Sequence, residues 1–129
     1  MPIVALVDDD KIYQFTATRS LQLTQSVNEI LPFFAAEEAL DFLKENSENV
    51  ASLPDFIFLD INMPVMDGWM FLEGFEKIGP TLKKEVTIYM VSSSIDPSDI
   101  NRANSNRWIK EYVTKPITID KLSSLLRVD

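Results

Sequence analysis

Short, almost unbroken apolar runs alternate with helix-length stretches along this chain, and that alternation constrains its fold more than any other feature. The runs are Ile3–Val7, Phe56–Leu59, Val86–Val91 and Trp108–Val113, with a weaker fifth at Ile30–Phe34. The runs are near-continuous in Val, Ile, Leu, Phe and Met instead of alternating apolar with polar residues, apart from Lys110 and Glu111 inside Trp108–Val113. Strands half-exposed to water alternate, whereas strands buried on both faces of a parallel sheet do not. Between the runs lie Ile12–Gln25, Ala36–Asn46, Gly68–Ile78, Pro97–Asn104 and Ile119–Val128, each long enough for a helix. Ala39, Leu40 and Leu43 share one side of the second, and Phe71, Leu72 and Phe75 one side of the third. Strand then helix, five times over, predicts an α/β fold: a doubly wound, five-stranded parallel sheet with right-handed crossovers and helices on both faces.

Helix starts agree with this division. Asp96 precedes Pro97, which suits the first helical position, and Asp99 adds an acid to the first turn. Thr118 and Asp120 play the same parts for the last helix. Pro32 lies inside the second run and cannot donate to a sheet ladder, so that strand belongs at an edge. The common order 2-1-3-4-5 places strand two at an edge and strand one inside, as Pro32 requires. Ser47–Pro54 and Gly79–Glu85 read as loops, and no solenoid-period repeat or low-complexity tract interrupts the pattern. The expected organisation is a single domain over residues 1–129.

Composition narrows the chemistry. With no cysteine and no histidine, the chain has no thiolate nucleophile, no zinc–thiolate site and no imidazole base. Carboxylates, hydroxyls, lysines and oxygen-bound hard metals remain. Twenty acidic against 12 basic residues give a net charge of −8, which argues against binding nucleic acid or an anionic membrane by broad electrostatics. The N-terminal apolar run is too short for a secretion signal and lacks a basic flank, so a cytoplasmic location is expected.

The acids fall at telling places. Asp8, Asp9 and Asp10 end the first strand, and Asp60 ends the third. Strands one and three flank the reversal of strand order, where ligands sit beyond the carboxyl ends of an open parallel sheet. Asp8, Asp9 and Asp60 are therefore expected to converge. Such crowding calls for a cation, and oxygen-only ligands favour Mg2+. Ser92 follows strand four and Lys115 strand five, with Pro116 fixing the turn behind the lysine. A carboxylate nucleophile, a metal, a lysine and a hydroxyl are the parts needed to move a phosphoryl group onto an aspartate.

Four motifs occur in order at these strand ends: Val7-Asp8-Asp9-Asp10, Leu59-Asp60-Ile61-Asn62-Met63-Pro64 continuing to Met66-Asp67-Gly68, Met90-Val91-Ser92-Ser93, and Tyr112-Val113-Thr114-Lys115-Pro116. Through them the chain resembles, over essentially its whole length, a stand-alone response-regulator receiver domain of the chemotaxis-regulator kind, with the flavodoxin/CheY-like fold. The resemblance implies that Asp60 accepts a phosphoryl group from a phosphohistidine on a sensor histidine kinase or a histidine phosphotransfer protein. It implies Mg2+ on the Asp9 and Asp60 carboxylates and the Asn62 backbone carbonyl, with Asp8 holding metal-bound water. Lys115 would pair with Asp60 and then with the phosphoryl oxygens. Ser92 would hydrogen-bond the phosphoryl group and draw in the loop after strand four, and Tyr112 would turn inward as it moves. Asn62 and Ser94 occupy the two positions that tune self-dephosphorylation. Such a protein is a phosphoacceptor that assists its own phosphorylation and dephosphorylation rather than an enzyme. Its output would be a switched surface for a further protein, as a monomer or weak dimer.

Each motif alone has a plainer explanation. Asp8–Asp10 could cap a helix, Asp60 and Asp67-Gly68 could mark turns, and Ser92-Ser93-Ser94 could be a solvated loop. Their coincidence at one sheet edge favours the receiver. Asp10 is the surplus acid and is expected to cap the first helix. A haloacid-dehalogenase-type phosphohydrolase matches Asp8-Asp9-Asp10-Lys11-Ile12 loosely but leaves Asp60 to Pro64 unexplained. A degenerate receiver acting as a scaffold would not need the complete pocket. A flavodoxin-like FMN binder would suit the topology, but an acidic triplet after strand one would repel its phosphate. Trp69, Phe71, Phe75 and the methionines are expected to pack, while Trp108 could pack on the fifth strand or face a partner.

Overall fold

The computed structural model describes residues 1–127. Its strands are β1 (Ile3–Val7), β2 (Glu29–Phe33), β3 (Phe56–Asp60), β4 (Thr87–Ser92) and β5 (Ile109–Thr114). Its helices are α1 (Lys11–Leu23), α2 (Ala36–Glu45), α3 (Gly68–Ile78), α4 (Pro97–Asn104) and α5 (Ile119–Leu125). A 3₁₀ turn at Gly79–Thr81 follows α3. The sheet is parallel throughout, in the order β2-β1-β3-β4-β5.

Both faces of the sheet are covered, which is why the runs are continuous. Val4, Leu6, Phe56, Phe58, Tyr89 and Val91 enter the core shared with α1 and α5. Their neighbours Ala5, Val7, Ile57, Leu59, Ile88 and Met90 enter the core shared with α2, α3 and α4. Successive side chains thus alternate between two apolar layers rather than between core and water. Pro32 sits on edge strand β2, which among the described residues pairs only with β1.

Element ends differ from the expected ones by small amounts. α1 stops at Leu23 rather than Gln25, because Thr24 Oγ1 donates to Leu21 O at 2.6 Å and Gln25 adopts a positive φ of 57°. β2 begins and ends one residue earlier than expected, leaving Phe34 beyond it. β4 and β5 each begin and end one residue later than their runs, so Trp108 precedes β5. The expected end of the last helix, Val128, lies outside the described residues; α5 is assigned to Leu125. The capping expectations agree: Asp10 accepts from Ile12 N and Tyr13 N, Asp96 from Ser98 N, and Thr118 Oγ1 from Lys121 N.

Gln14 anchors α1 to the sheet. Only 3% exposed, it donates from Nε2 to Leu6 O, Asp8 O and Phe33 O at 3.0–3.1 Å, tying the helix to the ends of β1 and β2. Phe33 O also receives Asp8 N, whereas replacing the amide strips a partner from the other two carbonyls. Gln14→Leu is expected to cost about 2 kcal/mol in urea unfolding, the scale of a buried acceptor left unmet. An unchanged midpoint would show the clamp to be dispensable.

Candidate functional site

Every expected pocket residue lies at the carboxyl edge of the sheet. Asp60 is the last residue of β3, and Asp8 and Asp9 follow β1 directly. One carboxylate oxygen from each of Asp8, Asp9 and Asp60 lies within 4.8 Å of the others. Asp8 and Asp60 are 3% and 8% exposed, while Asp9 is open to solvent. Asp10 stands apart as the α1 cap, so the triplet divides as expected.

Lys115 bridges the two buried acids. Its Nζ lies 2.8 Å from Asp8 Oδ2 and 3.4 Å from Asp60 Oδ1, so its shorter contact is with Asp8 rather than with Asp60, the partner expected from the sequence. Lys115 N also donates to Ser92 O at 2.8 Å, joining the ends of β4 and β5. The Lys115–Pro116 peptide is cis.

One cation does not balance three acids. Burial, reinforced by the charge of Asp8, pushes the Asp60 carboxyl up from 3.8 to about 6, against the opposing pull of Lys115. A carboxyl so raised is still mostly ionised near neutral pH. The site thus carries uncompensated negative charge on oxygen donors, one of them accessible. That is the arrangement a hard divalent cation satisfies, and the donor set fits Mg2+.

Ser92 is 1% exposed at the end of β4, and its Oγ accepts from Ser94 N at 3.0 Å. Ser94 O in turn accepts from Tyr112 Oη at 2.8 Å, with Tyr112 half-buried on the α4 side of the sheet. A three-residue bridge therefore connects the pocket hydroxyl to the β5 aromatic. Asn62 is exposed in the loop after β3, and Ser94 is half-buried in the loop after β4.

Two neighbours went unrecognised in the sequence. The Tyr13 ring lies beneath Lys115, its centroid 3.9 Å from Nζ, and burial with the nearby Asp8 and Asp60 charges pushes its hydroxyl far above the usual phenol range. The signal was its place one helical turn beyond the acidic triplet. Gly68 reads as a turn residue in the sequence, yet its role is spatial: a Cβ there would lie 2.6 Å from Asp60 O and 3.0 Å from Ile61 Cα. Trp108, half-buried, packs edge-on against Phe75 at 5.1 Å and donates from Nε1 to Glu76, away from the acidic pocket. Trp69, Phe71 and Phe75 are core residues, as expected, and so are Met63 and Met90, whereas Met1 and Met70 are exposed and do not pack as expected.

Among the described residues no helix is long and apolar enough to cross a membrane. A two-component response regulator from Cytophaga hutchinsonii has a similar structure, with a TM-score of 0.86 and 33% identity over 95% of this chain and 92% of that one. A response regulator receiver protein from Dyadobacter fermentans gives 0.83 and 30%, covering 96% and 94% of the two chains. The two-component response regulator ARR10 of Arabidopsis thaliana is 29% identical over 124 residues, which are 95% of this chain but only 20% of that longer protein. The model of the response regulator receiver domain matches residues 4–127, a span that does not favour a phosphohydrolase. With that match over the fold and pocket described above, the chain belongs to the response regulator receiver domain family of two-component signalling.

Proposed function

We propose that the protein is a phosphorylation switch in which Asp60 accepts a phosphoryl group from a phosphohistidine. The observation that carries this reading is the buried Asp60 carboxylate held between Lys115 and the Asp8–Asp9 pair at the open edge of the sheet. Asp9 and Asp60 would hold Mg2+ through their carboxylates, Asn62 through its backbone carbonyl and Asp8 through water. When bound, the ion supplies charge neutralisation for the crowded acids and the incoming phosphoryl oxygens.

The residues do the rest. An Asp60 oxygen forms the new bond to phosphorus while the bond from phosphorus to the donor imidazole nitrogen breaks. The imidazole leaves with that electron pair and takes up a proton from solvent. Lys115 stabilises the transferred oxygens as a point charge. The Ser92 hydroxyl donates to one of them and gives up its present contact with Ser94 N. Because Ser94 O holds the Tyr112 hydroxyl, moving that loop frees or drags the ring and alters the surface near α4 and β5. Asn62 and Ser94 would tune the later hydrolysis of the acyl phosphate by shaping access of the attacking water. None of these 129 residues is a histidine, so the phosphohistidine would be carried by a kinase or phosphotransfer domain outside them. The switched surface passes the signal to a further protein.

Incubation with a small acyl phosphate and Mg2+ is expected to add a single phosphoryl group to the wild-type mass and none to Asp60→Asn. Labelling of the mutant at the wild-type rate would sink the assignment. Lys115→Ala is expected to keep its metal binding and lose the conformational response to phosphorylation. A normal response in that variant would contradict the role given to the ammonium.

A further inference from the structure

Lys115 carries a compact cation on a flexible four-carbon stem, and two carboxylates compete for it. The nearer is Asp8 at 2.8 Å and the farther is Asp60 at 3.4 Å. Phosphoryl chemistry on Asp60 needs the ammonium to stay on the bridge between them rather than settle wholly on Asp8. A third group bounds it. The Tyr13 ring lies against the ammonium, with its centroid 3.9 Å from Nζ, and a cation so close to an aromatic face is attracted by the ring quadrupole.

The ring is itself well placed. Tyr13 N donates to the Asp10 side chain at 3.1 Å, so the α1 cap fixes the turn that presents it. Gln14, the next residue, clamps that turn to the ends of β1 and β2. Tyr13 and Lys115 also border an apolar cleft of about 380 Å³ between α1 and α5, lined by Leu6, Ala17, Phe58 and Leu122. A smaller side chain at position 13 would open the ammonium to that cleft and the water in it.

We infer that Tyr13 is a positioning residue whose ring holds the Lys115 ammonium on the bridge to Asp60. This rests on the reading of Asp60 as phosphoacceptor and adds a role carried by the ring, not the hydroxyl.

Two measurements on the full chain test it. With a small acyl phosphate and fixed Mg2+, Tyr13→Leu is expected to slow labelling of Asp60 by about 2- to 30-fold, the range of a cation–π contact between exposed and desolvated limits. Tyr13→Phe, which keeps the ring, is expected to restore the rate. In NMR spectra without any phosphodonor, the Lys115 Cε protons should carry an upfield ring-current shift in wild type and Tyr13→Phe and lose it in Tyr13→Leu. The inference is overturned if Tyr13→Leu labels as fast as wild type, if Tyr13→Phe is as slow as Tyr13→Leu, or if wild type lacks the ring-current shift. Absence of labelling on wild-type Asp60, with the ring-current pattern intact, would instead overturn the phosphoacceptor reading on which the kinetic role depends.

Discussion

Asp60→Asn is expected to stabilise the metal-free protein by about 1–2 kcal/mol near neutral pH, less than the full carboxyl shift would give because solvent screens part of it, while abolishing phosphorylation. The cause is the strain of burying a charge beside charges of the same sign. Burial and the neighbouring Asp8 hold the Asp60 carboxyl at about 6, against 3.8 without those surroundings, and Lys115 offsets only part of this. A carboxyl raised in the folded state binds its proton more tightly there than in the unfolded chain. Its contribution to stability is therefore fully present below pH about 4 and is lost as pH rises through about 6. The neutral amide never suffers that loss, and Lys115 keeps its 2.8 Å contact with Asp8 in the variant. Urea unfolding across this pH range, in chelator, should show the two proteins converging below pH about 4, separating between pH about 4 and about 6, and keeping a constant difference above that. A mutant less stable than wild type at neutral pH, or a difference independent of pH, would contradict the electrostatic account. Adding Mg2+ should raise the stability of wild type more than that of the variant, because the ion binds a carboxylate the variant lacks.

Gly68→Ala is expected to cost about 2 kcal/mol and to slow phosphorylation as well. Gly68 opens α3 after the Asp67 cap, and its N–H donates to Ile61 O at 2.8 Å, closing the loop that leaves the phosphoacceptor strand. An added Cβ would meet Asp60 O at 2.6 Å and Ile61 Cα at 3.0 Å. Both are backbone atoms and cannot turn aside, so either α3 retreats or the end of β3 shifts. Overpacking of this kind costs about 1–3 kcal/mol, and a rigid obstacle places it at the upper end. Alanine's better helix propensity recovers at most about 1 kcal/mol. Where the end of β3 gives way, the displaced atoms are those of the Asp60–Ile61 backbone, the Asp60 carboxylate moves relative to Lys115, and labelling by a small acyl phosphate should fall together with stability. Wild-type behaviour in both measurements would show that the loop absorbs the methyl group freely.

Much of this architecture is legible in the order of residues. Continuous apolar runs identified the three central strands, β1, β3 and β4, with two buried faces, and Pro32 identified the edge strand β2 and with it the strand order. The order in turn put Asp8, Asp9 and Asp60 in one pocket, where their carboxylates lie. What escaped were contacts that no periodicity encodes. Tyr13 sits in the first turn of a helix whose apolar spacing is weak, and nothing in its neighbours points to a lysine about 100 residues later. Gln14 occupies a polar position on the inward face of α1 beside Ala17 and Leu21, a signal visible only once that face is known to meet three backbone carbonyls. The preference of Lys115 for Asp8 over Asp60 turns on 2.8 Å against 3.4 Å, a difference finer than residue order can specify.

Beryllofluoride, a mimic of the phosphoryl group, tests the central claim most directly when titrated with Mg2+ against wild type and Asp60→Asn under NMR observation. The account predicts saturable, Mg2+-dependent shifts in wild type at Ser92, Ser94 and Tyr112, the residues joined by the bridge from pocket to β5, and none in the variant. The same shifts in Asp60→Asn, or a silent Tyr112 in a wild-type protein that binds the mimic, would contradict it.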